Sequence, residues 1–584
     1  MGEKAKARSN RNLSRVVKLT SLVTILVAAW LATSQPSFNT FRRPRCRCFP
    51  GDPCWPSSDE WNSFNNTIRG RLIATVPIAS PCHDTFPGVS YDADKCAEIR
   101  ANWGLPKLHY ESAHSPMAHV FTNMSCDPFT TRDAQCTVGN YIAYAVNAPG
   151  VLEYRETLNF AKKRNIRLVI RNTGHDYMGK STGAGALAIW THNIKLQSIL
   201  DYTSPVYTGK AMKIGAGVLS SEAQATAKTN GFVIAQGDCP SVGIAGGFTQ
   251  GGGTGPLASK VGLAADQVLE WEVVTGNADF LIATPDRNSD LYWALSGGGG
   301  GTYGVVLSMT VKLYTNMPTA GATLHFADPT DLYWDIVQAF LVHSQTILEA
   351  GATIYWQVLP GNKFQMSQSY LPNGTARDLE QLLQPTLQVL KQGDISYTFS
   401  SWDFPNFQDA FDKMDPGWNI AEMSLGGRII PRSLVASKDS AASLVNAIKS
   451  IIGNSGIFIG VSMDVRRPPS SPNAVHPYWR ESLFLAFLGT MYDRYNMTLN
   501  SINHKLVTDS FVPAPEAITP GGAAYLNEGD YNQPNWQNVF YGTNYRMLLS
   551  IKQKYDPDGI FWGPTAVGSE NWRIVEHGRL CAVN

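Results

Sequence analysis

The order of hydrophobic and polar positions predicts a regular series of helices and strands from about residue 134 onward. Over Val151–Lys163, apolar side chains recur at every third or fourth position, which predicts a helix with one buried side. Short apolar runs at 167–170, 212–214 and 232–235 predict strands, and residues 222–228 predict a helix that ends before Asn-Gly. This alternation of helices and strands predicts an α/β unit that ends near residue 316.

Two pairs of strands are predicted to form antiparallel hairpins. Residues 268–274 and 280–282 flank Gly276-Asn277, a sequence typical of a tight turn. Residues 353–359 and 363–370 flank a Pro-Gly-Asn turn in the same way. The second hairpin lies in a stretch with helical patterns of its own, near 331–347 and 440–452, which indicates a separate unit of antiparallel sheet and helices.

The composition is that of a large folded protein. The 584 residues are 43% hydrophobic and 16% charged, which excludes a disordered chain, a coiled coil and a collagen-like rod. The 48 Lys and Arg residues against 47 Asp and Glu residues give a net charge of +1. That balance argues against nucleic acid as a partner, because nucleic acid binding needs a basic surface.

The N-terminus has the three-part layout of a secretory signal. A basic stretch at 1–18 precedes an uncharged, mostly apolar run at 19–32, and small residues follow at 32–34. The apolar run is shorter than the roughly 20 residues that span a bilayer. The alternative is a signal anchor, which would keep the protein on a membrane with its bulk in the lumen. In either case we expect a secreted protein or one that lies within the secretory pathway.

Glycosylation sequons and clustered cysteines support an oxidising compartment. Seven of the nine cysteines lie between Cys46 and Cys136. Metal binding by the first three of them is the alternative, but an exported chain favours disulfides, and no metal is expected. The four sequons begin at Asn65, Asn123, Asn373 and Asn496.

Three glycine-rich segments carry the candidate chemistry. The first, at 171–176, directly follows a predicted strand; the second extends over 237–253, and the third is Gly297 to Gly301. Glycine permits positive φ and close approach of the backbone to a ligand, so successive N–H groups can surround an anion. Together the segments predict a cradle for a dinucleotide, although their spacing is neither the Rossmann nor the Walker pattern. Taken singly, each segment is typical of an ordinary loop.

These segments resemble those of FAD-linked oxidases of the vanillyl-alcohol-oxidase class. Residues 171–175, Arg-Asn-Thr-Gly-His, are similar to the segment whose histidine carries the flavin in that class. Residues 237–246, Gly-x-Cys-Pro-x-Val-Gly-x-x-Gly, resemble the cysteine attachment motif of the berberine-bridge-enzyme-like branch. Residues 46–55 look like secreted fungal members of this branch. Further similar motifs lie at 251–253, 262–268, 291–295, 525–528, 536, 541–545 and 554–557.

The resemblance implies an α+β fold with a two-part FAD-binding domain, built from N- and C-terminal segments, and an inserted substrate domain of antiparallel sheet plus helices. A leader at 1–34 is expected to precede a disulfide-rich segment at 35–133. The FAD-binding domain, of the PCMH type, is expected at 134–318 and the substrate domain at 319–505. A C-terminal berberine-bridge-like segment at 506–584 is expected to return to the FAD domain.

The resemblance also implies that FAD is attached bicovalently, through His175 at the 8α-methyl group and through Cys239 at C6. Alternatively, His175 is a loop histidine bonded to backbone, and Cys239 is a disulfide partner. We expect backbone N–H donors around Cys239 to lower the pKa of its thiol, because the thiolate is the reactive form. The other expected cofactor-binding residues are Asn172, Thr173, Gly174, Gly243, Gly246, Gly247, Gly253 and Asn544.

The implied reaction is hydride transfer from an alcohol or a secondary-metabolite substrate to FAD, followed by reoxidation by O2. A side chain must accept the hydroxyl proton of the substrate, and the resemblance points to Tyr525 and Glu528. Many plant members have a second tyrosine in place of Glu528, so this carboxylate is either a base with a raised pKa or a salt-bridge partner. Tyr541, Asn544 and Tyr545 either line the flavin or belong to an aromatic core.

Three other functions are compatible with these residues: a carbohydrate oxidase, a flavin dehydrogenase that excludes O2, and a flavin- or glycan-binding protein without turnover. The cysteine count agrees with the flavin hypothesis. If Cys239 holds the flavin, eight of the nine cysteines remain, enough for four disulfides. The count allows one of these disulfides to link Cys581 to the N-terminal segment, but it does not fix the pairing.

Overall fold

The structure, a computed structural model, describes residues 46–417, 419–420 and 422–583. The predicted leader at 1–34 lies outside the described residues. Within the described ranges, no helix is both long enough and apolar enough to cross a membrane.

A mixed sheet of four strands lies at the start of the described chain. Its spatial order is Leu72–Ala74, Tyr144–Asn147, Leu187–Trp190, Leu168–Arg171. The last three strands run parallel, and the first pairs in the antiparallel sense. All four residues of Leu187–Trp190 are buried, as expected for an inner strand covered on both faces. The helix predicted at Val151–Lys163 is confirmed, and the strand predicted at 167–170 is observed one residue later.

A second sheet of five antiparallel strands follows. Its spatial order is Gln197–Ser204, Tyr207–Gly215, Gly304–Lys312, Val268–Thr275, Phe280–Ala283. The hairpin predicted around Gly276 is confirmed, and the helix predicted at 222–228 is Ser220–Thr229. The strand predicted at 232–235 is shorter, because only Phe232–Val233 pairs, with Tyr314–Thr315, before the chain continues into the second glycine-rich segment.

Residues 319–491 form a seven-stranded antiparallel sheet. Its spatial order is Tyr397–Phe404, Thr319–Ala327, Lys363–Pro372, Thr353–Leu359, Ile457–Ser462, Ser482–Met491, Met423–Pro431. The hairpin predicted at 353–359 and 363–370 is confirmed. Three long helices pack against one face of the sheet and enclose its largest hydrophobic core: Leu332–Glu349, Ala376–Gln392 and Lys438–Gly453.

The opposite face of this sheet meets the first part of the chain. Successive residues of a strand point to opposite faces. In Thr353–Leu359, Ile354 and Trp356 lie in the helix-covered core, whereas Tyr355 joins a second cluster that contains Leu257 and Tyr525. The second face therefore places sheet side chains beside the second glycine-rich segment.

The C-terminal segment packs back on the first α/β unit. Helix Tyr545–Tyr555 lies against helix Ser289–Leu295, where Lys554 and Tyr555 both bond to Asp290, at 2.7 and 2.9 Å. A short hairpin, Trp572–Ile574 with Leu580–Ala582, ends the chain. The remaining α-helices are Ser58–Thr67, Ala93–Asn102, Pro106–Tyr110, Ala258–Val261, Phe407–Met414, Met497–Leu506, Pro513–Ile518 and Trp536–Tyr541.

Four disulfides pair every cysteine except Cys239, and all nine cysteines lie within the described ranges. The expected link from Cys581 to the N-terminal segment is confirmed, with Cys46 as its partner. The ion pair of Arg579 with Asp52, at 2.6 Å, supports the same junction. The other disulfides are Cys48–Cys54, Cys82–Cys96 and Cys126–Cys136.

Removing the terminal disulfide is expected to destabilise the protein. The cross-link joins residues 535 positions apart, so it strongly restricts the entropy of the unfolded chain. The double variant Cys46→Ser, Cys581→Ser should therefore lower the free energy of unfolding by about 2–4 kcal/mol. The thermal unfolding midpoint measures it. Cys48→Ser with Cys54→Ser is the matched control, because it removes a loop closed over only six positions. An equal loss of stability in both pairs would contradict the assignment of the larger effect to loop length.

Candidate active site

The three glycine-rich segments converge, as their joint use by one ligand requires. A Cβ atom on Gly243 would overlap the side-chain amide of Asn172, so the second segment lies directly against the first. A Cβ atom on Gly300 would lie 2.8 Å from Cα of Gly247, which brings the third segment against the second. The N–H groups of Gly297 and Gly299 both donate to the carbonyl of Gln250, at 3.0 and 2.9 Å.

The two expected flavin-bearing residues lie next to each other on separate segments. Nε2 of His175 is 3.8 Å from Sγ of Cys239. The hydroxyl of Ser241 lies 2.7 Å from Nε2 of His175 and 3.5 Å from Sγ of Cys239. The partner of the His175 ring is thus a serine side chain rather than backbone, and Cys239 is the one cysteine outside the disulfides.

Burial controls the charge of both residues. It lowers the pKa of His175 to about 4, so the imidazole is neutral at physiological pH. Burial raises the pKa of Cys239 to about 11, while hydrogen bonds from Ser241 act in the opposite direction. The expected lowering of the thiol pKa is therefore wrong: desolvation of the thiolate outweighs the donors at this turn.

The other expected cofactor-binding residues of the first two segments lie on the same two converging loops. Thr173 accepts a bond from the backbone N–H of His175 at 3.5 Å, and Gly174 has a φ of +87°. Gly253, with a φ of +75°, donates its N–H to the hydroxyl of Tyr525 at 3.2 Å. Gly246 and Gly247 remain accessible to solvent. Of these positions, the backbone of Gly246 and Gly247 is therefore accessible to a ligand.

Asn544 lies behind the third segment. Its amide donates to the carbonyls of Ala474 and Val475, at 3.2 and 3.3 Å. A Cβ atom on Gly297 would overlap the backbone N of Val475, so Asn544 supports the glycine run through this intermediate strand of chain.

Tyr541 and Tyr545 belong to the aromatic core, the second of the two alternatives for these residues. Their rings are 5.8 Å apart, and the hydroxyl of Tyr541 donates to the carbonyl of Thr565 at 2.9 Å. The hydroxyl of Tyr545 bonds to Glu570 at 2.6 Å.

The two candidate catalytic residues are attached to the second glycine-rich segment. The hydroxyl of Tyr525 accepts bonds from the N–H of Gly253 and from Asn527, at 3.2 and 2.8 Å. Asn527 also donates to the carbonyl of Gly247 at 2.8 Å. Glu528 is half-buried beside them and has no ion-pair partner among the described residues.

Glu528 belongs to an acidic, tyrosine-rich wall that also contains Asp238, Tyr355 and Tyr370. Burial and then the charge of Asp238 raise the pKa of Glu528 to about 8. Burial raises the pKa of Asp238 itself to about 6. Two buried tyrosines from the seven-stranded sheet, Tyr355 and Tyr370, are affected by the charge of Asp238, and neither hydroxyl has a hydrogen-bond partner within the described chain. Each of these two hydroxyls is thus a buried polar group without a compensating hydrogen bond in the described chain.

The residues present fit a dinucleotide with a diphosphate. Arg171 is fully buried and Lys180 half-buried, and burial lowers the pKa of Lys180 to about 8. Neither has an ion-pair partner in the described ranges. The guanidinium of Arg171 donates to the carbonyls of His109, Ser112 and Ser115, and its Nη1 has no partner among the described residues. Buried amide atoms along the segments, of Asn172, Gln236 and Gln250, also lack partners in the part of the chain described.

Comparison with known proteins identifies the family. The sequence profile of the FAD binding domain family matches residues 134–283, and that of the berberine and berberine-like family matches 524–568. The chain is 46% identical over 543 residues to the FAD-linked oxidoreductase sor8 of Hypocrea jecorina, covering 92% of this chain and 93% of the relative. The chain belongs to the FAD-linked oxidoreductases of the vanillyl-alcohol-oxidase type. It is therefore an enzyme that uses FAD.

Solved structures agree with this placement of the FAD-linked oxidoreductase. The VAO-type flavoprotein MtVAO615 from Myceliophthora thermophila superimposes with a TM-score of 0.88 at 40% identity, over 92% of this chain and 100% of that chain. Glucooligosaccharide oxidase from Acremonium strictum, described with a 6-S-cysteinyl, 8α-N1-histidyl FAD, has a TM-score of 0.61 at 18% identity, over 73% of this chain and 92% of that chain. The second likeness shows the fold alone. Both agree with the expected α+β architecture.

Several residues of the site in this oxidoreductase were not predicted from sequence. Ser241 and Asp238 lie inside the cysteine motif, where their positions next to Cys239 are the one available signal. Tyr355 and Tyr370 lie in ordinary strand patterns, and nothing in the sequence distinguishes them from sheet tyrosines of the core.

Proposed function

We propose that this FAD-linked oxidoreductase is an oxidase that acts on a hydroxyl-bearing small molecule, an alcohol or a secondary metabolite, with O2 as the electron acceptor. When bound, the flavin supplies the two-electron acceptor for the hydride that leaves the substrate carbon. The protein must bind the substrate and accept its hydroxyl proton. The observation that carries the proposal is the attachment of Tyr525 and Asn527, next to Glu528, to the glycine-rich segment that bears Cys239.

Glu528 is the proposed base. A base is most effective when its pKa lies near the working pH, and burial together with Asp238 places the pKa of Glu528 at about 8. The absence of an ion pair at Glu528 within the described residues speaks against the salt-bridge alternative.

Tyr525 is the proposed hydrogen-bond donor. Burial, and then the charge of Glu528, raise the pKa of Tyr525, so its phenol stays protonated at physiological pH. Its oxygen accepts from Gly253 and Asn527, which leaves its own proton to donate to substrate oxygen.

The substrate is proposed to be uncharged. Asp238, and Glu528 in the ionised form that acts as the base, would repel an anionic substrate. Tyr355 and Tyr370 offer two buried hydroxyls that match hydroxyl or carbonyl oxygens of such a substrate. Peroxide release across a panel of alcohols, phenols and sugars sorts the substrate classes. Turnover of sugars alone would favour the carbohydrate oxidase, and turnover with a dye but not O2 would favour the dehydrogenase.

Glu528→Gln is expected to remove the base. For the wild-type enzyme, kcat/KM should rise with pH and level off above about pH 8, because the carboxylate must be ionised to accept a proton. The variant should lose about 10²- to 10⁴-fold in rate and also lose this pH-dependent rise. The measurement is the pH profile of peroxide production.

Glu481→Gln is the matched control, because Glu481 is exposed and the same change there leaves the wall intact. Its pH profile should equal that of the wild-type protein. A Glu528→Gln variant that kept the wild-type profile would remove Glu528 from the mechanism.

FAD is proposed to be attached through both His175 and Cys239. The support is their 3.8 Å separation on converging segments, together with the doubly linked FAD described for the glucooligosaccharide oxidase of the same fold. Two attachments hold the ring in one orientation relative to Glu528 and Tyr525.

Single substitutions are expected to leave one link each. His175→Ala should keep flavin through Cys239, and Cys239→Ala should keep it through His175, while the double variant should release all flavin on acid precipitation. Peptide mass mapping and the absorbance spectrum of the denatured protein measure the links. If His175→Ala retained the wild-type spectrum and both links, the assignment would be wrong.

The enzyme is further proposed to be a secreted glycoprotein. Four disulfides suit an oxidising compartment, and the sequon residues Asn123, Asn373 and Asn496 are exposed. Asn65 is half-buried in helix Ser58–Thr67, where its side-chain oxygen accepts the N–H of Leu72 at 3.0 Å. Asn65 is therefore the sequon least suited to carry a glycan.

Intact mass with peptide mapping of protein from a eukaryotic culture medium tests this proposal. We expect glycans at one or more of the three exposed asparagines, none at Asn65, and an N-terminus near residue 35. Recovery of the protein only in the membrane fraction with residues 1–34 present would favour the signal anchor instead.

A further inference from the structure

One hydroxyl group contacts both residues that are proposed to bind the flavin. Oγ of Ser241 lies 2.7 Å from Nε2 of His175 and 3.5 Å from Sγ of Cys239. Ser241 is buried, with 9% of its surface exposed, so water competes little for these bonds. A hydroxyl has one proton to donate and can accept at the same time, so it can join the two side chains in one directed chain.

The direction of this chain follows from what covalent attachment requires. A histidine nitrogen must present a lone pair to form a bond, and Nε2 already faces Ser241. When Nε2–H donates to the serine oxygen, the lone pair of the ring is on Nδ1, the nitrogen that remains for the flavin. The serine O–H is then left to donate to the sulfur of Cys239, where it favours the thiolate.

We propose that Ser241 is a positioning residue for flavin attachment, whose hydroxyl accepts from Nε2–H of His175 and donates to Sγ of Cys239, so that both nucleophiles are held in their reactive forms. This inference rests on the proposed double attachment of FAD. It extends that proposal by naming the residue that makes a buried cysteine competent to react.

The two attachment steps balance as oxidations with O2 as the oxidant. Nδ1 of His175 replaces a hydrogen of the 8α-methyl group, and Sγ of Cys239 replaces the hydrogen at C6. The histidyl step forms an Nδ1–C bond, breaks a C–H bond and releases the proton carried by Nε2. The cysteinyl step forms an S–C bond, breaks a C–H bond and releases the proton of the thiol. Each step thus releases two protons and two electrons. O2 accepts both electrons and both protons in each step and becomes hydrogen peroxide.

The burial of Cys239 explains why such help is needed. Its thiol pKa is raised to about 11 by burial, and the nearby acids Asp238 and Asp415 raise it further. Tyr177 also faces the sulfur, and His175 is neutral, so neither supplies a positive charge. Ser241 is the group whose hydrogen bonds favour the thiolate.

The backbone, and not the serine hydroxyl, holds the turn in place. The N–H groups of Ser220 and Ser221 donate to the carbonyls of Val242 and Pro240, at 2.8 and 3.0 Å. Helix Ser220–Thr229 begins at this contact, so the turn is fixed from outside. Removing the Ser241 hydroxyl should therefore leave the fold and the turn unchanged.

The test measures how fast each link forms. Protein is produced under riboflavin limitation, given FAD in air, and sampled over time for histidyl- and cysteinyl-flavin peptides by mass. In Ser241→Ala, formation of the cysteinyl link should slow at least about tenfold at fixed pH. The rate should recover when the pH is raised by about one unit, because one pH unit changes the thiolate fraction of a largely protonated thiol about tenfold. Ser241→Thr keeps a hydroxyl and should restore the wild-type rate.

Ser220→Ala is the matched control. Its hydroxyl is buried against the same turn and has no partner within the described chain, so its removal should change neither link. A purely structural role for Ser241 would slow both links equally at every pH and lower the thermal unfolding midpoint.

Failure of the two proposals is distinguishable. Wild-type protein without either covalent link would overturn the proposed double attachment itself. Wild-type protein with both links, and Ser241→Ala with unchanged rates and pH profile, would overturn the role of Ser241 alone. If Ser241→Ala does not fold, the rate of cysteinyl-link formation in the wild-type protein is measured against pH. A rate that keeps rising up to the high pKa of an unassisted thiol contradicts the proposal. A rate that levels off at lower pH supports it.

Discussion

The close approach of two loops is the constraint on which the site depends. His175 follows a parallel strand of the mixed sheet, whereas Cys239 lies in a turn that leads into the second glycine-rich segment. The loops meet where Gly243 faces the side-chain amide of Asn172, which would have to move to admit a Cβ atom. This packing brings Nε2 and Sγ to 3.8 Å, and it lets one serine contact both. Other elements are arranged around that junction.

Desolvation is the second general feature of the site, and it shifts the pKa values of His175, Cys239 and Glu528. It keeps His175 neutral, opposes ionisation of Cys239 and moves the pKa of Glu528 towards the physiological range. Burial disfavours the charged form of each group, so it lowers the pKa of the histidine and raises the pKa of the thiol and of the carboxyl group. The same cost lowers the pKa values of the buried cations Arg171 and Lys180.

Much of the fold followed from local pattern. The helix Val151–Lys163 and both hairpins have strong periodicity and turn residues, and they occur where the sequence predicts them. The strand predicted at 232–235 is shorter, because pairing depends on a distant partner, Tyr314–Thr315, which local pattern does not reveal. The even number of cysteines that remains without Cys239 allowed a link from Cys581 to the N-terminal segment but did not identify its partner, which the structure shows to be Cys46.

The sequence by itself determined the family, the glycine segments and the identities of His175, Cys239, Tyr525 and Glu528 as candidates, because motifs are local in the chain. Only the tertiary structure decided their surroundings. The pKa of Cys239 is raised rather than lowered, since burial of its thiol depends on how separate segments pack. The contact of Ser241 with both nucleophiles, and the presence of Tyr355 and Tyr370 beside Asp238, arise from packing between segments. Charge, solvent access and hydrogen-bond partners are properties of such packing, and sequence order does not encode them locally.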